Sequence, residues 1–450
     1  MDTVLLQVSN YKYCFVMKHG LSSVCVLLSI LMPLCVAAQE TVSIPHNGKA
    51  SKVLDRLTVG GYGEATYKHN FYSDNVFRYT FADRYKDAKG HGQVDLPHAV
   101  IMLGYDFGKG WSFDTEIEFE HGGVEAAVEM ETEETGEYEK ELERGGEVAL
   151  EQFWIQKSFN QYANLRAGHI VVPVGATNNA HLPTQFFGVF RPEGENTILP
   201  CTWHETGISF WGKTKHWRYE VQLLPALNST MFSVGRWANQ ASASAYEFRP
   251  ANRLAFATRV DYTIPHWRFS LSGYVGNTFN NDIVTNNADK YKEVNGTVAI
   301  GAFDFKCEYG GFLMRGNADY GYLSEAGTIS SINRRLSNSS GSPYPHTEVG
   351  KTVMAAGLEA GYDIFHTTKL NKMKLIPFVR ADYYDSYNPP DTFNDYKWTE
   401  RVCFSGGINY APLPQIVVKA EGGIRMLHQQ YNNEPWFALG ITWAAMFNRR

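Results

Sequence analysis

The sequence predicts an all-β fold, a transmembrane antiparallel β-barrel of about 16 strands with short periplasmic turns and long extracellular loops. Three observations lead to this prediction. Apolar and polar residues alternate along segments of about ten residues, tight turns alternate with long loops, and no apolar stretch after the leader approaches the roughly 20 residues that a membrane-spanning helix requires. The mean hydropathy of -0.31 agrees with a barrel, because strands that face lipid and water in turn average to a polar composition.

A secretory leader opens the chain. Lys18 and His19 precede an apolar run over residues 21–34, and a small-residue motif ends at Ala38. This order of basic, apolar and small residues is typical of a signal peptide. We predict a signal peptide at 1–38, an N-terminal periplasmic segment at 39–56 and the transmembrane barrel at 57–450.

Lipid attachment at Cys35 is the alternative for this leader, but Leu34 occupies the position where that processing favours a small residue. The cysteines outside the leader, Cys201, Cys307 and Cys403, are spaced too widely for a disulfide framework or a metal motif. The formal net charge of -6 does not suggest binding to nucleic acid. We predict no cofactor and no metal.

Sixteen segments with a period of two account for the barrel wall. Each has about the length of a tilted strand that crosses a bilayer. Their predicted ranges are 57–67, 96–106, 111–121, 147–159, 162–171, 203–213, 216–224, 252–263, 266–277, 294–304, 307–317, 352–364, 374–384, 400–410, 415–426 and 436–447.

The connections between these segments alternate in length. Tight turns are predicted at 107–110, 213–216, 263–266 and 411–414. Long loops are predicted at 68–95, 122–146, 172–202, 225–251, 278–293, 318–351, 385–399 and 427–435. Short turns on one side of the membrane and long loops on the other are typical of outer-membrane barrels.

The third segment shows the two faces most clearly. Its odd positions from Trp111 to Phe119 are mostly apolar, whereas its even positions are polar and acidic. Aromatic residues also flank the short turns, and we assign these pairs to the lipid-facing register as an interfacial girdle: Tyr105 with Trp111, Trp211 with Trp217, and Tyr262 with Trp267. The alternative is that they merely pack across hairpins.

Residues 167–212 resemble the phosphate-selective porin O and P family and related outer-membrane porins of Bacteroidetes. The resemblance rests on Pro-Val-Gly after a strand, Asn-x-x-His-x-Pro at 178–183, Arg191-Pro192, Ile-Leu-Pro at 198–200 and Trp-His-Glu-x-Gly at 203–207. The Gly-Tyr-Gly-Glu at 61–64 is similar as well.

This resemblance implies a sixteen-stranded barrel, usually a homotrimer, in the bacterial outer membrane. It also implies that the third loop, residues 172–202 and hereafter loop three, folds into the lumen. Members that select phosphate line the constriction with Lys and Arg, but Arg191 is the only Lys or Arg of loop three, beside Glu193 and Glu195. General porin activity toward small solutes or inorganic anions is therefore expected, without phosphate selectivity.

Charged residues on the polar register are the candidate pore-lining groups, since rings or columns of charge set ion selectivity in a narrow pore. The alternative is that each merely pairs with a neighbouring strand, as Arg259 could with a nearby carboxylate. The acidic candidates form a column at Asp114, Glu116, Glu118 and Glu120. The basic candidates are Arg166, Arg191, Arg218, Arg253, Arg259, Arg268, Arg380, Arg401, Lys419 and Arg425.

A run of glutamates between residues 129 and 143 is interpreted as a solvated or disordered loop, with cation binding or anion repulsion at the pore mouth as the alternatives. No nucleophile motif, zinc-protease motif or phosphate loop is present, so no catalytic residue is assigned. A passive porin is the main functional hypothesis. A barrel that anchors adhesive loops and a barrel hydrolase are the other two.

Overall fold

The computed structural model describes residues 55–122, 126–131, 139–144, 148–239, 241, 251–278, 291, 294–335, 348–370 and 372–447. The signal peptide predicted at 1–38 lies outside the described residues. So does the predicted periplasmic segment at 39–56, apart from its last two residues. These boundaries therefore stay predictions.

Nineteen strands form two sheets. In chain order they are β1 Leu57–Asn70, β2 His91–Asp95, β3 His98–Gly108, β4 Trp111–Glu120, β5 Ala126–Glu131, β6 Glu139–Arg144, β7 Val148–Asn160, β8 Ala163–Val171, β9 His204–Lys213, β10 Trp217–Pro225, β11 Leu254–Ile264, β12 Trp267–Asn277, β13 Thr297–Tyr309, β14 Phe312–Leu323, β15 Thr352–Tyr362, β16 Lys374–Asn388, β17 Glu400–Leu413, β18 Ile416–Met426 and β19 Glu434–Phe447.

Sixteen of these strands close into one antiparallel barrel. The first strand, β1, pairs with the last strand, β19, on one side and with β3 on the other. Each remaining wall strand pairs with its neighbours in chain order. Closure removes the unpaired strand edges that hydrocarbon cannot solvate, and the predicted fold class, a transmembrane β-barrel of sixteen strands, is confirmed.

Helices are few and short. They are α1 at Ala82–Tyr85, α2 at Glu193–Ile198 and α3 at Ala326–Asn333. Single 3₁₀ turns occur at Val76–Arg78, Asn178–Ala180 and Ser229–Met231. Among the described residues, no helix has the length and apolar content needed to cross a bilayer.

One hairpin differs from its predicted position. The segments predicted at 294–304 and 307–317 place a turn near residue 305, but β13 continues to Tyr309 and the chain turns at Gly310 and Gly311. Both glycines have positive φ, 55° and 83°. Glycine adopts this conformation without the steric cost that a side chain brings, so the turn forms at the glycine pair.

Two predicted loops contain strands. Strand β2 lies within the predicted loop at 68–95 and pairs with residues 66–70 of β1. Strands β5 and β6 pair with each other as a separate hairpin. The acidic run is therefore not disordered at 126–131 and 139–144, whereas its interpretation as a solvated loop stays a prediction. Glutamates 133, 134 and 137 lie outside the described residues.

The outer face of the barrel is apolar. Exposed large side chains recur on strand after strand, including Ile155 at 50%, Leu271 at 66%, Val379 at 67% and Ile441 at 52% exposure. Such a continuous apolar belt is typical of a surface in contact with lipid.

The aromatic girdle is only partly as predicted. Trp111 and Trp217 are exposed on the outer face, and Trp217 packs on Tyr262 with ring centroids 4.5 Å apart. Trp211 is a correction, because it belongs to the inward register and donates its indole N–H to Gln156 Oε1 at 2.9 Å. Ile208 and Phe210 carry the outer face of β9 instead.

Much of the barrel interior is filled by protein. An apolar cluster joins inward residues of β10 to β16 with loop three and with residues 226–241, including Ile198, Leu199, Trp203 and Trp237. Trp237 is fully buried and donates its indole N–H to Gly350 O at 3.1 Å. This packing fills the lumen beside β10 to β15, so open space is left mainly elsewhere in the barrel.

Candidate functional site

Loop three lies inside the barrel and touches several parts of the wall. On β18, Lys419 Nζ donates to three loop carbonyls, Pro183 O at 2.5 Å, Phe186 O at 2.9 Å and Gly188 O at 2.7 Å. On β11, Arg259 donates to Gly175 O at 3.1 Å. These contacts come from different sides of the wall, so the loop crosses the lumen as the resemblance implies.

Further contacts hold the middle of loop three against β16 and β18. The backbone N–H of Val189 donates to Glu421 Oε2 at 2.8 Å. The Phe187 ring stacks on Phe378 of β16 with centroids 5.4 Å apart. Backbone, charge and ring contacts thus fix the same stretch of loop, and we conclude that it is a built constriction.

Glu193 anchors the C-terminal part of loop three. Its carboxylate pairs with the Arg425 guanidinium and accepts from the Tyr384 hydroxyl. Burial alone would raise the pKa of Glu193, but Arg425 and Tyr384 stabilise the charged form and lower this pKa to about 2. Glu193 is therefore an ionised anchor at every physiological pH.

Within the part of the chain that the structure describes, two large cavities lie in the lumen, one toward each end. The outer cavity, about 950 Å³, reaches the long-loop ends of β1, β17 and β19. The inner cavity, about 370 Å³, reaches the short-turn ends of β13, β16 and β17. Arg380 and Asp382 line both cavities. Their ion pair, with nitrogen and oxygen 2.6 Å apart, lies where the two cavities approach each other, a place hereafter called the neck.

The outer cavity carries eight basic and six acidic side chains. Several of them neutralise one another, as Arg78 and Arg425 do with Glu434. In the part of the chain that the structure describes, Lys68, Arg191 and Arg401 of this cavity form no ion pair within 4.0 Å. The cavity therefore has an excess of positive charge.

Arg401 shows how this charge is held. Its guanidinium donates to Trp398 O at 3.0 Å and to Tyr79 Oη at 3.0 Å. The Tyr79 and Trp398 rings stack with centroids 4.8 Å apart, and the Arg401 guanidinium lies 5.4 Å from the Tyr79 ring. Neutral oxygens and aromatic faces thus orient the guanidinium, and among the described residues no carboxylate forms a direct ion pair with it.

The inner cavity is smaller but has the same sign of charge. Arg268, Lys306, Arg315, Lys374, Arg380 and Lys419 line it, against Asp304, Glu308, Glu359 and Asp382. A solute that moves through the lumen meets more basic than acidic groups in both cavities. Basic side chains therefore outnumber acidic ones in the lining of both cavities.

The structure brings some predicted site residues to the cavities and leaves others elsewhere. Arg191, Arg380, Arg401 and Arg425 line the outer cavity, and Arg268, Arg380 and Lys419 line the inner one. Arg166, Arg218 and Arg259 face inward but lie outside both cavity walls. Arg253 is exposed and lies just before β11.

The pairing alternative holds for Arg259, which contacts Asp261 at 2.8 Å and Asp304 at 2.7 Å. It holds for Arg218 as well, whose guanidinium pairs with Glu220 and lies 3.5 Å from Asp261. The roles of all these residues in permeation stay predictions.

The predicted acidic column on β4 meets histidines that the sequence analysis missed. Glu118 and His98 of β3 are 2.6 Å apart. Glu116 Oε2 lies 3.9 Å from Nε2 of His181 in loop three. The Asn-x-x-His-x-Pro motif contains His181, but only its folding into the lumen places that imidazole beside β4.

We expect the docking of loop three to strengthen as pH falls from 7 to 5. Burial raises the pKa of Glu195 to about 7, although the backbone N–H groups of Thr177 and Ala176 oppose this rise. An acid with a raised pKa binds its proton more tightly in the docked loop, so docking gains stability as pH falls toward the ordinary value near 4.5. Glu193, with its lowered pKa, loses its contribution only below that value.

The measurement is the frequency of spontaneous current fluctuations in single-channel recordings, which should be several-fold lower at pH 5 than at pH 7. Glu195→Gln does not titrate and should flatten this dependence. Equal or more frequent fluctuations at pH 5 would contradict the assignment.

Comparisons with known proteins give only distant similarities. No protein-family model matches the chain. An uncharacterized protein of Aquifex aeolicus (strain VF5) is 25% identical over 407 residues, which cover 89% of this chain and 82% of that protein.

Solved structures similar to this chain include an anion-selective porin from Comamonas acidovorans, with a TM-score of 0.49, 9% identity and coverage of 86% of this chain and 99% of that one. The outer membrane channel DcaP of Acinetobacter baumannii has a TM-score of 0.47, 11% identity and coverage of 86% and 97%. OprB of Pseudomonas putida has a TM-score of 0.48, 10% identity and coverage of 88% and 96%. With identities of 9–11% and TM-scores below 0.5, these similarities establish neither the fold nor a function for this chain.

Proposed function

We propose that this protein is a porin of the bacterial outer membrane, through which small solutes and inorganic ions diffuse passively with a preference for anions. The observation that carries the proposal is the pair of cavities that meet at Arg380 and Asp382. One cavity lies on the long-loop side of the barrel and the other on the short-turn side, and both border loop three. A built constriction between two cavities of about 950 and 370 Å³ suits a conduit.

The anion preference rests on the uncompensated bases. Lys68, Arg191 and Arg401 lie in the wider cavity, where an entering solute passes first from the long-loop side. Fixed positive charge at a pore entrance concentrates anions locally. No cluster of bases dominates loop three itself, since Glu193 and Glu195 follow its single arginine. The proposed preference is therefore general rather than specific for phosphate.

The two other hypotheses have less support. A barrel that only anchors adhesive loops has no need of a loop fixed across its own lumen. A hydrolase requires a nucleophile with a base in reach. The Ser209 hydroxyl donates to Glu220 at 2.7 Å and the Ser405 hydroxyl to Glu421 at 2.8 Å, both on the inner wall. These serines are donors in structural networks, so we propose a passive, non-enzymatic pore.

Planar bilayers give the direct test. We expect the purified chain to produce discrete conductance steps and a reversal potential on the anion-selective side under a salt gradient. The control is protein heated to unfolding before reconstitution. An absence of conductance steps from folded protein would refute the pore, whereas a cation-selective reversal potential would refute only the anion preference.

The resemblance also implies a homotrimer embedded in outer-membrane lipid. Chemical cross-linking of the detergent-solubilised protein should then give a ladder that ends at three chains. A ladder that stops at one chain would exclude this assembly without affecting the pore itself.

A further inference from the structure

A buried cluster joins loop three to the opposite stretch of barrel wall. It contains Glu116 of β4, Glu151 of β7 and His181 of loop three, and one ligand-type atom of each lies within 4.8 Å of the other two. Glu116 and Glu151 are 4% and 0% exposed. These residues come from three separate parts of the chain, so only the docked loop assembles the cluster.

The atoms that converge in this cluster are those without hydrogen-bond partners. Among the described residues, Glu116 Oε2, Glu151 Oε1 and His181 Nε2 are all buried and make no hydrogen bond. Leaving one such polar atom unpaired in a protein interior costs roughly 1–3 kcal/mol. Three such atoms converge here, and one bound cation would satisfy all three.

The other polar atoms of the same side chains are already satisfied. Tyr62 donates its hydroxyl to Glu151 Oε2 at 2.7 Å. His181 Nδ1 lies 3.2 Å from Asn178 O, so this nitrogen carries the proton and donates to that carbonyl. The tautomer leaves the lone pair of Nε2 directed toward Glu116. A histidine that binds a metal is commonly oriented in this way by a backbone carbonyl.

The backbone around His181 is itself held firmly. Asn178 Nδ2 donates to Val172 O and to Trp203 O, at 2.5 and 3.0 Å, and Asn178 Oδ1 accepts from Trp203 N at 2.5 Å. Asn178 is 1% exposed. The turn that carries the imidazole is therefore fixed before any ligand arrives.

We propose that Glu116, Glu151 and His181 bind one divalent transition-metal cation, and that Zn²⁺ suits the site best. One imidazole nitrogen and two carboxylate oxygens are a ligand set that zinc accepts at about 2.0–2.2 Å. Ligand atoms around tetrahedral zinc lie about 3.4 Å apart, so side-chain rotations of roughly 1 Å close the cluster on the ion. Asn179 and Ala180 line the inner cavity just before His181 and give the ion a route inward.

Charge supports the assignment. The cluster holds two carboxylates, and Glu118 lies two residues from Glu116 on the same face of β4. A divalent cation neutralises this local excess of negative charge and ties the loop to the wall. The proposed metal site is independent of the proposed ion selectivity. It is tested by measuring bound metal, whereas selectivity is tested by measuring conductance.

The test is zinc content of the whole folded protein. Protein stripped with a chelator is incubated with Zn²⁺, passed through a desalting column and measured by elemental analysis. We expect about one zinc per chain for the wild type, and a loss of at least fivefold for His181→Ala, His181→Gln and Glu116→Gln. The His181→Gln side chain can still donate to Asn178 O, so the turn keeps its support.

Glu359→Gln is the matched control, because it removes another buried inward carboxylate, 5% exposed, on β15. It should keep its zinc. Each variant is first checked for the heat-dependent gel mobility of a folded barrel. If the wild type binds no zinc, the proposal is wrong. If both His181 variants bind as much zinc as the wild type, the proposal is also wrong, and the metal is bound by other acidic groups.

Discussion

Lys419→Met should increase the mean single-channel conductance about twofold, because it releases the constriction. The Lys419 ammonium donates to three backbone carbonyls of loop three. Each hydrogen bond from a charged donor contributes roughly 1.5–3 kcal/mol, and the substitution also leaves three carbonyl oxygens without this donor. Loop three should then move away from β18 and widen the neck at Arg380.

Lys306→Met is the control for this variant. Lys306 lines the same inner cavity and carries the same charge, but its ammonium pairs with Glu308 at 2.5 Å. Loss of charge alone affects both variants, whereas only Lys419→Met removes contacts to the loop. Equal conductance in the two variants would show that Lys419 does not hold the constriction.

Arg401→Gln should reduce the chloride-to-potassium permeability ratio about twofold, as measured by reversal potential under a salt gradient. Arg401 lines the outer cavity and forms no ion pair within 4.0 Å among the described residues. Its charge is therefore available to a passing anion. The Gln side chain keeps a hydrogen-bond donor for Tyr79, which limits any structural change.

Arg218→Gln tests whether position or merely net charge matters. Arg218 faces inward but pairs with Glu220 and Asp261 and lines neither cavity. We expect little change in the permeability ratio for this variant. A shift as large as that of Arg401→Gln would mean that selectivity follows total charge rather than the outer cavity.

The wall of the barrel could be predicted from the sequence because strand pleating repeats every two residues. Arg380, Lys419 and Arg425 face inward, as the period of two predicts. Each has an apolar residue directly before it and directly after it on its strand. Errors arose where the alternation is weak. Trp211 is apolar but inward, and the turn after β13 depends on two glycines rather than on polarity.

The interior could not be predicted in the same way. Loop three was expected in the lumen only through resemblance, since nothing local in a loop sequence specifies which wall it contacts. His181 and Glu151 are far apart in the chain, and their meeting depends on loop docking. Sequence patterns report the periodicity of a strand, whereas a site inside a barrel is set by contacts between distant segments.

The anchoring of loop three by its main chain bears on how the pore can be altered. Lys419 contacts the carbonyl oxygens at positions 183, 186 and 188, and every amino acid supplies such an oxygen. Thr184 and Gln185, which line the inner cavity, can therefore vary without loss of these contacts to Lys419. Related chains could therefore differ in solute preference at these two positions while the loop keeps its path. The same two positions are suitable for redesign of the constriction.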